Sequence, residues 1–86
     1  MDQIFPELLN IKDYGVITFD TTHDAVKSEV ILKEQQARFL LIPTPRSISA
    51  SCGMAVKFLW EDKESIIAIL LEQGVRYHGV HHIVKG

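Results

Sequence analysis

The chain has 86 residues, of which 47% are hydrophobic, so it can build one core but not two domains. Its formal net charge is −2 and its basic residues are spread along the sequence, which argues against nucleic-acid binding, because that requires a clustered basic face. A single cysteine, no apolar run near the roughly 20 residues of a membrane span and no signal-peptide pattern predict a cytoplasmic protein that does not bind membranes.

The first half of the chain predicts a strand, a helix and a second strand. Residues 1–13 precede them and are expected to form an arm or a short helix. Tyr14–Asp20 is rich in β-branched and aromatic side chains that alternate between two faces, as in a strand. Capping oxygens and apolar residues at helical spacing then predict a helix over Thr22–Gln36. Arg38–Pro43 reads as a short apolar strand that ends at its proline.

The second half predicts a strand, a helix and a strand again. Gly53–Trp60 alternates, with Met54, Val56, Phe58 and Trp60 pointing to one face. Acidic residues at 61–64 favour a helix start, and Gly74 favours its end. Val75–Val84 is predicted to be the last strand.

The resulting order is β-α-β-β-α-β, which predicts an α+β fold. Right-handed crossovers then give a ferredoxin-like sandwich, a four-stranded antiparallel sheet with both helices on one face. Residues 14–86 would form this single domain. The apolar residues of the arm would pack on the open sheet face or on a neighbouring subunit, and a chain of this size could gain stability as a homodimer.

The stretch from Pro43 to Gly53 is the strongest candidate for a functional site. It is longer than a hairpin turn, which usually takes about 2–5 residues, and long ordered loops tend to carry function. It contains the only cysteine, Cys52. A lone cysteine is commonly a small buried apolar residue, but polar neighbours and a nearby cation would favour the reactive thiolate. Gly53 would leave room for another molecule to approach the sulfur atom.

Arg46 and three serines of this loop are candidates for binding an anion. Arg46 could pair with the thiolate or with a substrate's carboxylate or phosphate, or it could be a solvated surface charge. Ser47, Ser49 and Ser51 could donate to the same anion, or satisfy the backbone of the loop itself.

Four histidines invite a metal interpretation, which their spacing disfavours. Alternation along the last strand places His78 and His82 on one face and His81 on the other, and residues four apart on a strand are about 13 Å apart. That is too far to share one ion without other ligands. No metal or other cofactor is therefore expected. His23 lies in the first turn of the first helix.

Two segments, Tyr14–Ala25 and Ile42–Gly53, carry a family resemblance. They resemble small bacterial domains known as selenium/sulfur carrier-like proteins, whose pattern combines Phe-x-x-x-His-x-Ala with Pro-x-Pro-Arg-x-Ile-Ser-x-x-Cys-Gly. The resemblance runs from about Tyr14 to Tyr77 and leaves out the arm and the histidine-rich last strand. The matching residues are Phe19, His23, Ala25, Pro43, Pro45, Arg46, Ser49, Cys52 and Gly53.

The resemblance implies a carrier rather than a standalone enzyme. Cys52 would hold sulfur or selenium as a persulfide or selenosulfide, received from a donor protein and passed to an acceptor. Arg46 and the loop would stabilise the anion, and His23 would hold or relay a proton near the thiol. The alternative is a non-catalytic module that binds a small anion or a protein, with Cys52 in a structural role. A redox sensor is a third possibility, disfavoured because no second cysteine is present to resolve an oxidised thiol.

Overall fold

A computed structural model of the protein describes residues 5–48 and 52–85. Its helices and strands are β1 (Asp13–Thr18), α1 (Thr22–Glu34), β2 (Leu40–Pro43), β3 (Met54–Phe58), α2 (Lys63–Glu72) and β4 (Gly79–Val84). Two short 3₁₀ turns, Pro6–Leu8 and Trp60–Asp62, precede β1 and α2. The predicted order of strands and helices is confirmed. Neither α1 nor α2 is long and apolar enough to cross a membrane.

The four strands form one sheet in the order β2-β3-β1-β4. Every neighbouring pair is antiparallel, and the two central strands pair Ile17 with Val56. This topology confirms the predicted ferredoxin-like sandwich.

The main core lies between the sheet and both helices. Ile17 of β1 and Phe58 of β3 are fully buried there, together with Leu32 of α1 and Leu70 of α2. Alternation along β3 is as predicted, since Met54, Val56, Phe58 and Trp60 all pack in this core. Both helices therefore cover the same face of the sheet.

A second, smaller cluster lies on the helix-free face of the sheet. Tyr14, Val16 and Ala55 are buried there, and four isoleucines pack against them: Ile11, Ile42, Ile48 and Ile83. Ile11 belongs to the segment before β1, which thus contributes to the face where the arm was expected. Ile4, another apolar residue of the predicted arm, lies outside the described residues.

The ends of several elements differ from the prediction. β4 begins at Gly79 rather than at Val75, because Gly79 pairs with Thr18, the last residue of β1. Beyond Thr18 the chain turns into α1, so residues 75–78 have no strand beside them to extend the ladder. Val75 is buried in the core as part of this link. The predicted glycine stop is confirmed, since Gly74 adopts a φ of 70° directly after α2.

Candidate functional site around Cys52

The loop between β2 and β3 is closed at its base by Thr44. The Thr44 amide donates to the carbonyl of Gly53 at 2.9 Å, and the Thr44 hydroxyl donates to the carbonyl of Cys52 at 3.0 Å. These two bonds extend the β2–β3 pairing beyond Pro43. They fix the backbone of Cys52 although it lies outside a strand.

The first part of the loop is a tight turn that lies toward the helix-free face of the sheet. The amide of Ile48 donates to the carbonyl of Pro45 at 3.0 Å, and Pro45 suits such a turn because its φ is fixed. Ile48 then packs in the helix-free cluster, whereas Cys52 belongs to the core beneath the helices. The loop therefore reaches both faces of the sheet.

The side chain of Cys52 is buried, with 3% of the residue exposed to solvent. The polar loop and Gly53 predicted a sulfur atom that another molecule could approach, and the structure instead buries Cys52. The apolar residues that follow the loop draw the side chain into the core, a placement that its polar sequence neighbours did not indicate. Arg46 is exposed in the turn.

Two polar groups approach the sulfur atom of Cys52. The amide of Met54 donates to Sγ at 3.4 Å, and the thiol lies 4.0 Å from the hydroxyl oxygen of Thr22. Thr22 is the first residue of α1, next to its N-cap Thr21, whose side chain accepts from the amide of Asp24 at 3.1 Å. The sulfur thus lies at the N-terminal end of a 13-residue helix, where the helix dipole favours negative charge.

The other predicted site residues are placed as follows. His23 is exposed and directly follows Thr22, so it lies at the same end of the sheet as Cys52. Gly53 is exposed, and a Cβ added there would meet no atom within 4 Å. The described structure therefore brings His23, Gly53 and Cys52 to one end of the molecule. Ser49 and Ser51 lie outside the described residues.

The sequence reading missed Thr22 and Thr44 as neighbours of the cysteine. Thr22 is the first residue of the predicted helix, and its contact with the thiol depends on how α1 packs over β3. Thr44 falls between the two prolines of the loop, where a hydroxyl suggests a turn. A threonine directly after an edge strand could have indicated a side-chain bond across the base of the loop.

The remaining histidines take up separate positions. His78 Nδ1 lies 2.8 Å from the Asp20 carboxylate, at the Cys52 end of the sheet. His81 Nε2 lies 3.5 Å from the Thr18 hydroxyl on the helix-free face. His82 stacks on Trp60, with ring centroids 3.9 Å apart, and its Nε2 is 2.6 Å from Asp13. Within residues 5–48 and 52–85 no group of three or more His, Cys, Asp or Glu side chains is arranged to hold a metal ion.

These features define a small ferredoxin-like domain that holds its only cysteine at a helix N-terminus. A family model described as "Putative Se/S carrier protein-like" matches residues 14–82, and the chain belongs to this family. The predicted family is confirmed, and the match includes most of β4, which the motif resemblance had left out. No match was found among curated proteins or among solved structures.

Proposed function

We propose that the protein is a cytoplasmic sulfur or selenium carrier that holds the transferred atom on Cys52. Family membership supports a carrier in general terms. The specific support is the position of the Cys52 sulfur atom, between the amide of Met54 and the first turn of α1. These groups stabilise negative charge on sulfur, and both a thiolate and a persulfide carry such a charge.

The loading step is a thiolate exchange. The Cys52 thiolate attacks the outer sulfur of a persulfide on a donor protein, which forms a new S–S bond at Cys52. The bond between the two donor sulfurs breaks, and the donor cysteine leaves as a thiolate. Delivery to an acceptor repeats this exchange, with Cys52 as the leaving thiolate. A selenium atom would be held in the same way as a selenosulfide.

The neighbouring residues have distinct roles in this proposal. Arg46, Ser49 and Ser51 bind the anionic group of the incoming donor, and His23 exchanges a proton with the sulfur. Gly53 leaves the approach to the sulfur free of side-chain atoms. Because Cys52 is 3% exposed, transfer also requires a local opening that brings the thiol to the surface.

The burial of Cys52 favours a second candidate function. A cysteine packed in an apolar core is ordinary structural packing. The protein would then be a non-catalytic module that binds a small anion or a partner protein through Arg46 and its surroundings. A Cys52→Ser variant that retains full partner binding would support this second candidate.

Intact-mass measurement after incubation with a cysteine desulfurase and cysteine tests the carrier proposal. We expect a mass increase of one sulfur atom that is removed by a reducing thiol. Cys52 is the only cysteine, so Cys52→Ala is a complete control and should gain no reducible adduct. A wild-type chain that gains no sulfur under conditions where the desulfurase turns over would contradict the proposal.

A further inference from the structure

Two lysines converge on one aromatic ring on the helix-free face of the sheet. The Nζ atom of Lys57 in β3 lies 4.4 Å from the ring centroid of Tyr14, and the Nζ atom of Lys85, just after β4, lies 5.7 Å from the same centroid. The attraction of each ammonium group to the face of the ring favours this arrangement. Two ammonium groups beside one ring still repel each other.

Burial and this repulsion act on Lys57 in the same direction. The pKa of Lys57 is lowered, first by partial burial and second by the positive charge of Lys85. Neither ammonium forms an ion pair with a carboxylate in the described part of the chain.

Arg38 and two histidines elsewhere in the described structure do lie against carboxylates. Arg38 forms a two-bond contact with Asp62, His78 approaches Asp20 and His82 approaches Asp13. Among the described residues, Lys57 and Lys85 have no such carboxylate, and both lie near the same ring.

The sheet offers these lysines no compensating charge. Pairing and alternation place ten strand residues on the helix-free face, and none of them is acidic. Asp13, the acidic residue at the start of β1, lies on the opposite face, where it meets His82 beside Trp60. His81 is also titratable and lies on the helix-free face, where its ring contacts the Thr18 hydroxyl. An anion at this face would thus meet positive charge without opposition from a strand carboxylate.

We propose that Lys57 and Lys85 form a binding site for a doubly charged anionic group. Two ammonium groups match a phosphate-type dianion or a pair of carboxylates, and such a group would relieve the repulsion between them. The site is separate from Cys52 and does not depend on the carrier function.

Titration of the ¹⁵N-labelled protein with inorganic phosphate, and separately with succinate, tests this site. Ionic strength is held constant with sodium chloride. We expect saturable amide shifts at Tyr14, Lys57 and Lys85 for at least one of the two probes. Lys57→Gln and Lys85→Gln should each weaken binding about tenfold, since each removes a charge-assisted hydrogen bond. Lys27→Gln, an exposed lysine on α1, is the matched control and should leave binding unchanged.

The two probes distinguish the source of the anionic group. Saturation by phosphate alone identifies a phosphate-bearing ligand, and saturation by succinate alone identifies a dicarboxylate. Shifts that stay linear with both probes would overturn the proposal, as would saturable shifts unchanged in both lysine variants. The wild-type titration can give the first of these results without any variant.

Discussion

At the scale of single residues, burial determines how Cys52 reacts. Its sulfur atom is enclosed by the core and exposed only when the structure opens locally. We expect iodoacetamide to modify the native chain at least about ten times more slowly than the urea-unfolded chain. Intact mass followed over time measures both rates directly, because the chain contains one cysteine. Equal rates in the two states would show that the thiol is open to solvent.

Gly53 allows the approach to Cys52 to be tested apart from stability. An added Cβ would meet no atom within 4 Å, so Gly53→Ala should change the free energy of unfolding by less than about 0.5 kcal/mol. If a donor must approach the sulfur closely, the same variant should take up sulfur from the desulfurase more slowly. Urea unfolding and intact-mass time courses measure the two effects. A destabilised variant, or an unchanged loading rate, would contradict this expectation.

The sequence indicated which residue types belong to the site but not how they are oriented. Cys52, Gly53 and Arg46 stood out because a long polar loop contains them. The burial of Cys52 could not be inferred, since it depends on Thr44 closing the base of the loop and on the start of α1, where the Thr22 hydroxyl lies 4.0 Å from the sulfur atom. Both depend on residues that are distant in sequence or lack a distinctive pattern.

At the scale of secondary-structure elements, one close contact holds β1 against β3. Gly15 pairs with Phe58, and a Cβ at Gly15 would overlap the Phe58 ring. We expect Gly15→Ala to destabilise the protein by about 2 kcal/mol or more, because the ring has no room to move within the core. Urea unfolding measures this loss.

Two further variants serve as controls for this contact. Gly79→Ala is a matched strand glycine whose added Cβ would meet the end of the His81 side chain, and it should cost less than Gly15→Ala. In a Phe58→Leu background the Gly15→Ala change should cost about 1 kcal/mol less than in the wild type. Equal costs in both backgrounds would show that the ring is not the cause.

The elements themselves followed from local patterns, whereas their ends did not. Alternation in residues 53–60 predicted both faces of β3, because side-chain direction in a strand depends only on the backbone. The start of β4 was misplaced because Val75 and Tyr77 are residue types that suit a strand, but a strand also needs a partner. The pairing of Gly79 with Thr18 determines where β4 begins.

At the scale of the whole molecule, the opposite charges that meet at Arg38 contrast with the like charges that meet on the helix-free face of the sheet. Arg38, between α1 and β2, meets Asp62 of the 3₁₀ turn before α2 and Glu7 of the 3₁₀ turn before β1. The hydrogen bond to Asp62 is the main reason that the pKa of Arg38 is raised. On the helix-free face, by contrast, Lys57 and Lys85 lie near each other, and none of the strand residues on that face is acidic.

This imbalance predicts how stability depends on pH. The pKa of Lys57 is lowered in the folded state from its ordinary value of 10.5, so the unfolded chain binds the proton more tightly. The free energy of unfolding should therefore rise with pH from the lowered pKa up to about 10.5.

Lys57→Met should remove this contribution and stabilise the protein at pH 7 by about 0.5 kcal/mol or less, given screening by solvent. Urea unfolding of wild type and variant in phosphate-free buffer, from pH 7 to 11, gives the difference curve. Lys27→Met, on the exposed side of α1, should give a flat difference. A Lys57→Met protein that is less stable than wild type at pH 7 would show that the cation–ring contact outweighs the repulsion from Lys85.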